Sequence, residues 1–407
     1  MTKFRLAHLG LVMAAIGFTA AAPLTGLTSV AYAAESVRAE IGKPLQEAQK
    51  MAAAGKNKEA LAKLKETDAV GGKTANETYL IERTRASAAA AAGDNDAAAK
   101  AFESVLNSGK LSAAESPKFA EALAGIYYRA KDYPKAINAF QRVLKDNPGN
   151  TQAREYLIQI YYTSGKYAEA AKELQSSKNL SESQLGMLAN IQLKQNDKVG
   201  YVQTLEKLAA SYPKASYWTD LLNRVTGKPG FSSSLSLDVL RLRLANGLLT
   251  KPAEYMEMSQ LALQAGNPAE AIKIIDQGYK KGALGTGSDA ARHQRLKDLA
   301  DKTQTEFDAK LATAQAEAEK AKDADALANL GYALVSAGKG DKGLPLLDQA
   351  VKLGTGRNPE AIKLHYGVAQ NIAGKKAAAL STLKSVKGTD GTADLARYWT
   401  LNINRPM

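Results

Sequence analysis

Several groupings in this chain have residue types and spacings that could do chemistry. Gly72-Lys73-Thr74 ends like a phosphate loop, in which Gly-x4-Gly-Lys-[Ser/Thr] lets backbone N–H groups wrap phosphate oxygens. Thr67 stands where the first glycine belongs, so the segment reads as a loop between helical units. Gly282, Gly285 and Gly287 cluster without dinucleotide spacing and with no strand before them, which reads as a linker. Ser211/Lys214 and Ser381/Lys384 satisfy Ser-x-x-Lys, but a serine acyl-enzyme also needs Ser-Asp-Asn and Lys-Thr-Gly, and neither occurs. No Gly-x-Ser-x-Gly elbow is present.

Metal and acid–base chemistry find equally little. There is no cysteine, hence no disulfide, no thiolate zinc site and no cysteine nucleophile. Besides His8 there are only His293 and His365, 72 residues apart, which are not expected to meet and read as helix-surface or seam residues. Asp323/Asp325 and Glu317/Glu319 sit two apart on an expected helix and point to different sides, as a solvated face does. We therefore assign no catalytic, cofactor or metal residue and expect no enzyme.

Charge and composition bound the partners. Lys+Arg total 54 against Asp+Glu 41 in 407 residues, for a net +13. Residues 1–33 read as a signal peptide. Lys3 and Arg5 form a basic start, Leu9 to Ala22 is uncharged and mostly apolar, and Ala31-Tyr32-Ala33 offers a cleavage site before Ala34. Without the two basic residues of that leader the charge is +11. Export to a periplasm is the expectation, and it argues against nucleic acid as the partner. No later stretch approaches the ~18 apolar residues a membrane helix needs, so no span is expected after cleavage. Basic residues are spread along the chain without a run of five, which fits general solubility more than a patch.

The elements that must position any site repeat. Leu123-Ala124, Tyr127, Tyr133, Ala136, Phe140 and Pro148 recur in phase as Leu157, Tyr161, Tyr167, Ala170 and Leu174, with Ala136 and Ala170 34 residues apart. Each unit should be two antiparallel helices. Small residues let the backbones approach, Phe140 fills the seam to the next unit, and Pro148 stops the second helix. Turns between helices often need a left-handed residue. Gly55, Gly93, Gly165, Gly266, Gly338 and Gly374 each precede a small residue by five: Ala60, Ala98, Ala170, Ala271, Gly343 and Ala379. Asn196 and Lys131 hold the same place in two further units. Two gaps of double length predict hidden units. One has helices 217–225 and 235–245 around Pro229-Gly230, and the other has helices 290–300 and 305–321 around Lys302. A final segment, 393–402, reads as a cap, since stacked repeats need their ends covered.

These residues resemble tetratricopeptide-repeat proteins over most of the chain. The block Tyr255 to Gly266 and the glycine run 282–287 are similar to an exported proteobacterial subgroup of unknown specific role. The resemblance implies an all-α fold, a right-handed α-α superhelix of about ten helix pairs with a C-terminal capping helix. It implies binding and no reaction: a scaffold holding a protein or peptide in its concave groove, some relatives serving envelope assembly, polymer export or energy-coupled transport.

The groove would be lined by first-helix residues facing away from the second helix. We expect Tyr128, Arg129, Glu155, Gln159, Tyr162 and Asn190 there, with Tyr128 and Tyr162 stacked along one wall. Glu121 and Glu155 stand where chaperone-binding relatives carry a basic clamp residue, which argues against an acidic C-terminal tail bound in that way. Residues 34–283 read as an N-terminal array, 284–323 as a divergent charged linker that could act as a hinge, and 324–407 as C-terminal units and cap. Two rivals stay open. One is a binder of anionic glycan or envelope polymer. The other is an enzyme hidden at 216–250 or 284–322, for which a buried, shifted carboxylate pair would be the sign.

Overall fold

A computed structural model describes residues 37–405. The expected signal peptide lies outside the described residues. Those described form twenty α-helices, a short 3-10 turn and no strand. No helix among them is long and apolar enough to cross a membrane. The chain divides into two compact units after Asn179.

The first unit holds four helix pairs: α1 (Ala39–Ala53) with α2 (Asn57–Asp68), α3 (Ala75–Ala92) with α4 (Asn95–Asn107), α5 (Ser116–Arg129) with α6 (Tyr133–Asp146), and α7 (Thr151–Thr163) with α8 (Tyr167–Gln175). Local chemistry sets the boundaries. Thr74 and Glu77 make a capping box, and Asp94, Asp132 and Asn150 each accept an N–H from the first turn of their helix. Ala124 and Ala136 are fully buried where α5 meets α6. Phe140 is fully buried too and stacks on Tyr156 of the next pair at 5.3 Å.

The turns follow one design. In α5–α6 the Lys131 N–H bonds the Tyr128 carbonyl and the Asp132 N–H the Tyr127 carbonyl. In α7–α8 the Gly165 and Lys166 N–H groups bond Tyr162 and Tyr161 in the same way. That geometry demands a left-handed residue, so Lys131 (φ 61°) and Asn196 (φ 57°) adopt the conformation that glycine takes elsewhere.

The second unit begins with α9 (Glu182–Lys194), α10 (Lys198–Ser211), α11 (Ala215–Thr226), α12 (Ser236–Ala245), α13 (Pro252–Gln264) and α14 (Pro268–Lys280). It continues with α15 (Ala290–Ala321), α16 (Ala324–Ser336), α17 (Gly340–Leu353), α18 (Pro359–Ile372), α19 (Lys376–Ser385) and α20 (Thr392–Asn404). The first hidden unit is present as α11 and α12, with Gly230 left-handed between them. The second is not a pair. Residues 290–321 contain no glycine or proline, and the helix runs unbroken through Lys302 for 32 residues. The array is therefore nine pairs, one long helix and a terminal helix.

That terminal helix does more than cover an end. α20 returns onto α10–α12. Arg397 pairs with Glu206 at 3.3 Å and Asp394 with Lys228 at 2.9 Å, while buried Asn402 donates to Asn246 at 3.0 Å. The Ser232 N–H also bonds the Asp390 carbonyl. One core runs through α9–α12 and α16–α20, centred on Trp218, Leu242, Leu327, Leu364 and Tyr398. The second unit is closed on itself.

Candidate functional site

The motif candidates resolve first. The Lys73 ammonium donates to the carbonyls of Thr67, Asp68 and Val70, so it closes the end of α2 and is not held open for phosphate. Thr74 is a helix cap. Lys214 pairs with Glu182, not with Ser211, and Ser381 and Lys384 are both exposed. The Gly285 N–H donates to Nδ1 of buried His293, which pins the glycine linker against α15. Asp323 caps α16 and Asp325 pairs with Arg357.

The expected groove wall lies on α5 and α7, but its aromatics are arranged differently from expectation. Tyr128 and Tyr162 do not stack on one another. Tyr128 is half-buried between Tyr133 at 6.3 Å and Tyr156 at 5.4 Å. Tyr162, also half-buried, meets Tyr167 edge-on at 5.8 Å. Each packs on the tyrosine that opens its own second helix, because the tight turn brings positions five apart together. Burial pushes the Tyr128 phenol above its usual value. Arg129 and Gln159 are half-buried and Glu155 is exposed. Glu121 accepts from the Asn150 side chain at 3.3 Å, linking successive first helices. Asn190 is exposed on α9 in the second unit.

Tyr133, Tyr156 and Tyr167 belong to this wall and were not among the expected residues. The repeat of Tyr three before Ala136 and Ala170 was the signal for two of them.

A second constellation was missed altogether. Arg241 on α12 makes a two-pronged pair with Glu270 on α14, Nε and Nη2 each donating at 2.7 Å, and its Nη1 donates to Asp238 at 2.8 Å. Its guanidinium lies 4.3 Å from the ring centroid of Tyr332 on α16. His365 on α18 is within 3.1 Å of the Asp238 carboxylate and meets the Tyr332 ring edge-on. Asp238 is almost wholly buried. Burial alone would raise its carboxyl, but the charges of His365 and Arg241 outweigh that and hold it well below the ordinary value. It is a single buried, shifted carboxylate at 216–250, not the pair that would mark an enzyme there. It is held ionised by a neighbouring cation, which suits an ionic tie and not a group that gives up a proton near neutral pH. Within 284–322 the stretch 301–317 is open, with no side chain buried. A cleft of about 610 Å³ runs beside that stretch, lined by Phe307, Ala314, Glu317, Leu330 and the 264–266 turn.

Comparison with known proteins bears on the first constellation. The model of the tetratricopeptide repeat matches residues 83–143 and again 122–179. Comparison with curated proteins gives no match. Among solved structures, a tetratricopeptide repeat protein from Parabacteroides merdae is 13% identical, covering 82% of this chain and 99% of its own, with a TM-score of 0.31. The tetratricopeptide domain of P58(IPK) is 13% identical over 89% of this chain and 98% of its own, with a TM-score of 0.23. PilF of Pseudomonas aeruginosa is 12% identical over 44% of this chain and 96% of its own, with a TM-score of 0.24. Scores this low leave the assignment to the repeat model and to the helix pairs themselves. The two overlapping matches fall on α3 through α8, where the turn design and the small-residue seams recur, so residues 83–179 carry tetratricopeptide repeats.

Proposed function

We propose that this protein is a non-enzymatic scaffold, exported to the periplasm, that holds a protein or peptide partner against the wall formed by α5 and α7. The observation that carries this is the coincidence of the matched repeats, 83–179, with a run of half-buried groove residues: Tyr128, Arg129, Gln159 and Tyr162, with Glu155 exposed beside them. Tetratricopeptide repeats are interaction modules, and amphipathic aromatics with arginine are the usual anchors of such surfaces. The leader at 1–33 supports export, and an exported adaptor has its work in envelope assembly, polymer export or energy-coupled transport. The tie of Asp238 and Glu270 to Arg241 supports a structural role for the buried charges over a catalytic one.

The test is photo-crosslinking in intact cell envelopes. One bait carries the crosslinker at exposed Glu155 on α7, the other at exposed Lys145 on α6. The expected result is one protein captured from Glu155, absent from Lys145, and lost when Tyr162→Ala is added. Glycan recovered equally from both positions would replace the scaffold with a binder of anionic polymer.

A further inference from the structure

The single helix α15 bridges two cores of the second unit. Its first turns bury Leu296 and Ala300 with Tyr255 and Ile274 of α13 and α14. Its end buries Ala318 in the core that holds Leu327 of α16. The stretch between, 301–317, buries no side chain over about 25 Å of helix. The cleft of about 610 Å³ lies beside it, where no second helix completes a pair. Apolar side chains make most of its lining: Phe307, Ala314 and Ala318 from α15, Ala326 and Leu330 from α16. Phe307 is half-buried and packs in neither core, unlike the buried Phe102, Phe119 and Phe140 of the first unit. Tyr332, two residues after Leu330, points to the Arg241 cluster instead, so the cleft is separate from that cluster.

Only two ionisable groups line the cleft, Glu317 and Asp323, and both are acidic and exposed. Neither is in an ion pair among the described residues, although Lys+Arg outnumber Asp+Glu 54 to 41 in the chain. Lys310 and Lys320 of α15 are exposed and do not line the cleft. We infer that this cleft docks a protein segment in which a large apolar side chain is flanked by lysine or arginine. The apolar side chain covers Phe307 and Leu330, and the surface so removed from water supplies affinity. The cation meets Glu317 and Asp323 at the rim, where opposite charge selects the partner. An acidic segment or an anionic glycan would bring like charges together there. The inference goes beyond the scaffold reading, because the cleft lies wholly in the second unit and does not use Tyr128 or Tyr162.

The test is selection of displayed random dodecapeptides on the full chain, followed by synthesis of the enriched peptides. The chain has no cysteine, so one dye on Ala321→Cys at the cleft rim reports entry. Peptides that change the dye signal are expected to join a large apolar residue to Lys or Arg, and to bind Glu317→Lys at least about tenfold more weakly than the unchanged cleft. Replacing their basic residue by glutamate should reverse that preference, which a merely unfolded variant could not do. Phe307→Ala should weaken the same peptides, and Tyr162→Ala should leave them unaffected. Should Phe307→Ala fail to fold, the charge swap at Glu317 decides alone. Entering peptides that are acidic or uncharged, or that bind Glu317→Lys as tightly as the unchanged cleft, would overturn the inference. Peptides that depend on Tyr162 and leave the dye unchanged would overturn it too, with the scaffold reading left standing. A selection that enriches no peptide at either place would sink both.

Discussion

His365 lies 3.1 Å from the carboxylate of Asp238, 127 residues earlier in the chain, and the contact joins α18 to α12 inside the second unit. Arg241 carries the same connection on to Glu270 of α14 and Tyr332 of α16. Four helices from different parts of the array therefore share one buried ionic cluster. With the return of α20 onto α10–α12, it makes the second unit a closed body.

Removing one member should be felt strongly. Asp238→Asn leaves Arg241 with a single carboxylate and His365 facing an amide. Breaking a buried pair in this way costs about 3–5 kcal/mol. Trp218 and Trp399 are both buried in this unit, so denaturant melts followed by their fluorescence report it directly. An unchanged midpoint would show that the cluster adds nothing to closure. Adding His365→Gln to Asp238→Asn should cost much less than it does alone, because the two residues share one interaction.

Acid should loosen the start of the first unit. Glu77 is fully buried. Arg38, first, and then the Thr74 N–H hold its carboxyl at about 2, against burial, from an ordinary 4.5. The folded value is depressed, so its contribution to stability is complete above about pH 4.5 and is lost as pH falls through about 2. Helicity followed from about pH 5 to about pH 2 should decline, and Glu77→Gln should flatten that decline. Identical acid profiles for the two proteins would remove Glu77 as the cause.

Lys131 is a site for stabilisation. It holds a left-handed conformation that disfavours a residue with a Cβ. Lys131→Gly should raise stability by roughly 0.5–1 kcal/mol, the strain released less the added freedom of the unfolded chain. Gly165→Ala, at the same place in the next pair, should lower it. A loss in Lys131→Gly would show that the lysine side chain contributes more than its backbone strain removes.

Gly343 should tolerate nothing larger. A Cβ there would stand 2.3 Å from the Gly331 carbonyl oxygen and 2.9 Å from the Val335 nitrogen. Both obstacles are backbone, so α16 and α17 must separate. Gly343→Ala should destabilise by about 2–3 kcal/mol, the upper range for overpacking. A neutral result in thermal melts would mean the pair has slack.

The middle of α15 should be the first place a protease enters. It buries no side chain between 301 and 317, and the exposed pair Lys339–Asp308 at 3.2 Å is a weak tether for it. Brief trypsin digestion should cut first at Lys302 or Lys310. Protection of 284–325 while other parts of the chain are nicked would end the proposal that this stretch acts as a hinge.

The helix pairs and their turns were legible in the sequence because their causes are local. A left-handed turn residue, a small residue five later and a capping side chain all act within one or two turns of helix. That is why the weak unit around Pro229-Gly230 was found, and why Lys131 could be placed in a turn without a glycine. The period misled at Lys302, where a turn was expected from spacing alone and no residue was present to break the helix. The candidate wall was legible only as positions. Which tyrosine each ring would meet, and that Arg129 would lack a carboxylate partner and bury its Nη2 without an acceptor, depended on how neighbouring pairs pack. The meeting of His365 with Asp238, and the return of α20, were decided by tertiary structure alone. Side chains 127 residues apart carry no local pattern, and only the packing of the second unit brings them within hydrogen-bonding distance.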